Sequence, residues 1–108
     1  MSDAAVLERL LATIAARKDA NPSESYTAKL LARGVPKIAQ KVGEEAVETA
    51  IEAVRGDRAA LASESADLLY HLLVLWTASG LDPAEVWSKL EARIGTSGLA
   101  EKAAREEQ

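Results

Sequence analysis

The chain has 108 residues, with 13 Lys and Arg against 17 Asp and Glu, a net charge of −4. Cysteine is absent and His71 is the single histidine, which excludes disulfide frameworks, thiol nucleophiles, thiolate zinc sites and histidine-cluster metal sites. Any metal must be held by oxygen, and the mild acidity removes the positive field that nucleic-acid binding requires.

The length predicts one domain spanning residues 1–108, with a core that needs no staples. Phe is absent, and Ala, Leu, Glu, Lys and Arg dominate, so helices are favoured over strands. The longest apolar stretch, Leu68 to Ala78, is far below the ~20 residues that cross a bilayer. The first ten residues carry Asp3 and Glu8 and no apolar run. A soluble, cytoplasmic protein is expected, with no membrane and no nucleic acid among its partners.

In chain order, Leu7, Leu10, Leu11 and Ile14 form one face of a first helix over 4–18, closed by Asn21-Pro22. Ser25 opens a shorter second helix that runs to Arg33 and stops at Gly34. Pro36 suits the start of a third helix, which meets no breaker except Gly43 until Gly56. Asp57 caps a fourth, ending near Gly80, and Asp82-Pro83-Ala84-Glu85 begins a fifth that reaches about Ile94. After a loop at Gly95 to Gly98, residues 99–108 form a short polar helix.

The third helix carries Lys41, Glu44, Glu45, Glu48 and Glu52 within an arc of roughly 100°. Its apolar face is expected at Ile38, Val42, Ala46, Ala50 and Ala53. The pairs Glu44/Glu48, Glu48/Glu52 and Glu45/Glu48 repel at helical spacing, and Lys41 offsets only part of that. A divalent cation turns such repulsion into coordination. On the fourth helix, Glu64 and Asp67 repeat the three-residue spacing where the apolar run 66–76 begins. Asp67 is therefore expected at the edge of a buried surface, needing a base, backbone donors or a metal. Two such pairs on adjacent antiparallel helices can enclose Mg²⁺, which prefers a few carboxylates plus substrate phosphates. A solvated acidic face and an ion pair of Asp67 with Arg17 or Lys37 are the structural alternatives.

Between Asn21 and Gly43 lie four bases, Lys29, Arg33, Lys37 and Lys41, against the single acid Glu24, a local charge of +3. Such bases clamp phosphate oxygens. The break at Gly34 to Pro36 leaves open whether the four share one face. His71, one turn beyond Asp67, reads as a packed and hydrogen-bonded residue rather than a general base, and Tyr26 as a core residue or one bordering a nucleotide. Both join the four bases as substrate-contacting candidates. The run 66–76 is too apolar for so small a monomer to cover, so a partner chain is expected.

Glu45-Ala-Val-Glu48 followed by Glu64-Ser-Ala-Asp67 resembles the ExxE…ExxD signature of the MazG-like, all-α nucleotide pyrophosphohydrolases. Ser25-Tyr26-Thr27-Ala28-Lys29, Lys41-Val42-Gly43-Glu44-Glu45, Asp67-Leu68-Leu69-Tyr70-His71 and Ser97-Gly98-Leu99-Ala100-Glu101-Lys102 are similar, in order, to the phosphoribosyl-ATP pyrophosphatase branch of that superfamily. The resemblance implies an all-α bundle of about five helices completed by homodimerisation, and Mg²⁺-dependent hydrolysis of phosphoribosyl-ATP to phosphoribosyl-AMP and pyrophosphate in histidine biosynthesis. It implies Glu45, Glu48, Glu64 and Asp67 as metal ligands and Glu44 as a further ligand or the base for the attacking water. Lys29, Lys37 and Lys41 would hold the phosphate chain. In some relatives this domain is fused to a cyclohydrolase expected to use cysteine zinc ligands, which this chain lacks. The competing readings are a housecleaning nucleoside triphosphate pyrophosphohydrolase of the same fold and a non-catalytic helical interaction module.

Overall fold

The computed structural model describes residues 4–94, together with Lys102 and Arg105. The described residues form α1 (Ala5–Ala16), α2 (Tyr26–Arg33), α3 (Val35–Arg55), α4 (Arg58–Ser79) and α5 (Pro83–Ile94), with no strand among them. The fold is all-α, as expected. The loop at Gly95 to Gly98 and the short helix expected over 99–108 lie outside the described residues, except that Lys102 and Arg105 are helical.

The caps follow the local chemistry. Ser25 is extended, and its hydroxyl accepts from the Ala28 amide at 3.1 Å, satisfying one orphan donor of α2. Asp57 does the same for α4 through the Ala60 amide at 3.0 Å. Asp82 Oδ1 accepts from the Ala84 amide at 2.9 Å at the start of α5. Pro36 stands in the first turn of α3, where its missing N–H costs nothing.

Two glycines set the path of the chain. At Gly34, φ is 89° and ψ 174°, a conformation essentially reserved for glycine, and this one residue both ends α2 and begins α3. At Gly56, φ is 78°, and its amide and that of Asp57 return to the Glu52 carbonyl. α3 therefore reverses directly into α4, and these two long helices form the most extensive contact in the molecule.

The core sits at the end of this hairpin away from Gly56. Ile14 from α1, Leu30 from α2, Ile38 from α3, and Leu73 and Val74 from α4 are buried there, with Leu10, Leu11, Tyr70 and Trp76 packed around them. α5 is held by an edge-to-face contact of Trp76 and Trp87, centroids 5.6 Å apart, and by Trp87 Nε1 donating to Glu8 Oε1 at 2.9 Å. The Gly56 end is covered only thinly. On α3 only Ile38 is buried, while Val47, Ile51 and Val54 are 61%, 47% and 89% exposed.

The expected burial of 66–76 holds for His71, Leu73 and Val74 but not throughout, since Leu69 is 45% exposed. Among the described residues α4 packs chiefly on α3, with smaller contacts to α1 and α2 and the Trp76–Trp87 contact to α5.

Candidate active site

The apolar face expected on α3 is corrected beyond Val42. Ala46, Ala50 and Ala53 are exposed, whereas Glu45, Thr49 and Glu52 are partly buried. The reason is geometric. The seam that begins at buried Ile38 continues at spacings of four and three through Val42, Glu45, Thr49 and Glu52, the period with which one helix follows another. Once Ile38 docks on Leu73 and Val74 of α4, the acids must follow it inward, and the alanines fall on the opposite side.

Opposite this seam, α4 presents Glu64, also partly buried. Carboxylate oxygens of Glu45, Glu48 and Glu64 lie within 4.8 Å of one another. Glu45 Oε2 and Glu64 Oε2 are buried and have no hydrogen-bond partner. Buried acceptors without donors are costly, and three carboxylates at this separation also repel. The Glu48 carboxyl beside it, then burial, then Glu45, push Glu64 up to about 7. An all-oxygen, multiply acidic donor set fits a hard divalent cation such as Mg²⁺, which would supply the positive partner these oxygens lack.

Asp67 stands outside this group. Three residues on from Glu64, it is turned by roughly 60° around α4, off the seam that faces α3. Its side chain is exposed, so the expected position at the edge of a buried surface is not found. Its main-chain carbonyl is used instead, lying 2.8 Å from His71 Nδ1.

Glu44 is exposed at the rim, and Gln40 Nε2 donates to its Oε2 at 2.9 Å. This bond, aided by Lys41 and Lys37, holds its carboxyl below the ordinary range. Lys41 Nζ lies 3.8 Å from Glu44 Oε1.

Lys41 also lines a cleft of about 240 Å³ with Lys37 from α3 and Tyr26, Lys29, Leu30 and Arg33 from α2. The turn at Gly34 thus brings together the four bases whose common face the sequence left open. Tyr26 is half-exposed at this cleft, and its hydroxyl is 3.2 Å from Nε2 of buried His71. Tyr26 stacks on Tyr70 at 6.2 Å, and the Tyr70 hydroxyl is hydrogen-bonded to Thr27 Oγ1. Burial raises the Tyr70 hydroxyl above its ordinary value, against the lowering effect of Thr27.

Sequence reasoning missed the pairing of Thr27 with Tyr70 and a second apolar strip on α3, Val47, Ala50, Ile51 and Val54, which lines a shallow groove of about 360 Å³ with Arg55. The spacing of Val47, Ile51 and Val54 carried the signal for the strip, since positions four and three apart share a helix face. A larger cavity of about 370 Å³, lined by residues including Lys18, Pro22, Leu31 and Thr77, contains none of the predicted site residues.

A family profile described as phosphoribosyl-ATP pyrophosphohydrolase matches residues 7–94. The phosphoribosyl-ATP pyrophosphatase of Azospirillum brasilense is 74% identical over 102 residues, covering 94% of this chain and 92% of that protein. The protein of the same name from Parvibaculum lavamentivorans is 64% identical over 106 residues, covering 98% and 97%. One from Cereibacter sphaeroides is 67% identical over 100 residues, covering 93% and 97%. The all-α hairpin with its carboxylate cluster and adjoining cationic cleft is thus that of a hydrolase acting on a diphosphate bond. The chain belongs to the phosphoribosyl-ATP pyrophosphohydrolase family. Among the described residues no helix is long and apolar enough to cross a membrane.

Proposed function

We propose that this chain hydrolyses phosphoribosyl-ATP to phosphoribosyl-AMP and pyrophosphate, a step of histidine biosynthesis, in the cytoplasm and with Mg²⁺. The observation that carries the reading is the meeting of Glu45, Glu48 and Glu64 on a hairpin that also bears a cleft of four bases, one of which, Lys41, lies 3.8 Å from Glu44, the neighbour of Glu45.

Glu45, Glu48 and Glu64 would hold the cation, and Asp67, one turn along α4, would serve it from the rim. A Mg²⁺ ion held by these carboxylates would supply charge neutralisation at the phosphates and a more acidic water. Lys29, Arg33, Lys37 and Lys41 bind the phosphate chain and stabilise charge on the leaving pyrophosphate. Glu44, kept ionised by Gln40 and the lysines, is placed to accept the proton of the attacking water or to add a ligand. His71 holds Tyr26 at the cleft mouth.

A second copy of the chain is proposed to cover Val47, Ile51 and Val54 and to complete the bundle as a homodimer. A strip this apolar on the thinly covered end of the hairpin is what a partner helix would bury.

The test is pyrophosphate release from phosphoribosyl-ATP and from a panel of nucleoside triphosphates, with Mg²⁺ and with a chelator. Release from phosphoribosyl-ATP that needs the metal is expected. Preference for a triphosphate would move the chain to a housecleaning role, and inactivity on every substrate would leave a non-catalytic module.

A further inference from the structure

The hydrogen bonds at His71 decide which way the Tyr26 hydroxyl faces the cleft. His71 Nδ1 lies 2.8 Å from the Asp67 main-chain oxygen. A carbonyl oxygen only accepts, so Nδ1 carries the proton. In the neutral ring Nε2 is then an acceptor, and the Tyr26 hydroxyl, 3.2 Å away, must donate to it. His71 is 6% exposed, and its ring is boxed edge-on by Tyr70 at 5.0 Å and Tyr26 at 6.1 Å, so this arrangement is held from all sides.

A phenol that has given its one proton inward offers only lone pairs outward. Tyr26 also lines the cleft with its four cations, where a nucleotide's phosphates would sit. Phosphate oxygens are acceptors too, so Tyr26 has no favourable contact to make with them. The group in a nucleotide that donates a hydrogen bond and is joined closely to the phosphates is a sugar hydroxyl. The nucleobase amine is separated from the phosphates by the whole sugar, so the sugar hydroxyls are the nearer donors.

We propose that Tyr26 is a specificity-determining residue that accepts a hydrogen bond from a ribose hydroxyl of the substrate, and that His71 is the positioning residue that fixes its hydroxyl in the acceptor orientation. The Asp67 carbonyl sets the His71 tautomer, the tautomer sets the phenol, and the phenol separates sugar from phosphate in a cleft otherwise built for anions. This rests on the nucleotide-hydrolase reading of the same cleft and names what one wall of it recognises.

Three measurements test it on the full chain. Nitrogen-15 NMR of the imidazole at about pH 8 is expected to show the Nδ1–H tautomer, with the Nε2 signal shifting in Tyr26→Phe; an Nε2–H tautomer overturns the proposal. In kinetics, Tyr26→Phe is expected to raise KM for phosphoribosyl-ATP about three- to tenfold, the worth of one neutral hydrogen bond, with a smaller effect on kcat. In direct binding, Tyr26→Phe should weaken ATP by the same factor and leave inorganic tripolyphosphate, which has no sugar, unchanged. Equal weakening of both ligands, or of neither, overturns the proposal. Because the binding arm needs no turnover, it stands even if phosphoribosyl-ATP proves not to be the substrate. His71→Asn, which keeps a donor for the Asp67 carbonyl but cannot reach Tyr26, should reproduce the Tyr26→Phe pattern. Combined with Tyr26→Phe it should add little further loss.

Discussion

Lys41 Nζ lies 3.8 Å from Glu44 Oε1, at the place where the cationic cleft meets the acidic face of α3. Both side chains are partly exposed, so the pair contributes little to stability, at most about 1 kcal/mol. Its value is positional, because one lysine both lines the phosphate cleft and reaches the Glu44 carboxylate. Lys41→Met is expected to raise KM for the nucleotide about tenfold or more through loss of a charge-assisted contact, with Tm nearly unchanged. Steady-state kinetics and a thermal melt on one preparation check both halves.

Glu48 is the exposed member of the three-carboxylate group, so removing its charge disturbs little packing. Glu48→Gln should reduce kcat at least about 100-fold, consistent with loss of a ligand rather than of an outer partner. The far-ultraviolet circular dichroism should be unchanged. In chelator the variant should melt higher than wild type, since a repelling charge is gone. A variant with normal turnover would contradict the metal assignment.

The Glu64 carboxyl stands at about 7 in the folded chain against an ordinary value of 4.5. A raised folded value means that the folded chain holds this proton more tightly than the unfolded one. The associated stability is complete below about 4.5 and is lost as pH rises through about 7. In chelator, Tm should therefore fall between about pH 5 and pH 8, and fall less steeply in Glu64→Gln, which has no proton to lose. Mg²⁺ should raise the wild-type Tm at about pH 8 and do so less in the variant, because ligand binding to the folded state alone stabilises it.

Ile51 is 47% exposed in the middle of the apolar strip on α3. Ile51→Lys keeps a residue of good helix propensity and places a charge where the partner is proposed to pack. Sedimentation should show a dimer for wild type and a monomer for the variant, with a lower Tm. A variant that remains dimeric would move the interface elsewhere.

Asp57 caps α4 through the Ala60 amide at 3.0 Å, immediately after the turn that aligns the two acid-bearing helices. Asp57→Ala should cost about 1 kcal/mol of stability, read by urea denaturation, with activity retained at temperatures where the chain stays folded.

The elements and their limits were legible because they depend on neighbours in sequence. Ser25, Asp57 and Asp82 accept from amides two or three residues ahead, and Gly34, Gly56 and Gly80 end helices by adopting positive φ. The identity of the acids was legible as well, since Glu45/Glu48 and Glu64/Asp67 are periodic patterns and the absence of cysteine left oxygen as the only donor. Facing was less legible. Alanine at 46, 50 and 53 looked like core, yet it is the docking of Ile38 on α4 that sets the rotation of α3 and carries Glu45 and Glu52 inward.

The sequence by itself therefore determined an all-α chain, the places where it turns, and a chemistry of carboxylates and bases without cysteine, because helix propensity, caps and side-chain inventory are local properties. Only the tertiary structure decided that Glu64 joins Glu45 and Glu48 while Asp67 remains exposed. It also decided that four bases on either side of Gly34 line one cleft, and that His71 engages Tyr26. Those relationships depend on the rotation of one helix against another and on the angle at a single glycine, quantities set by the packing of distant side chains rather than by spacing along the chain.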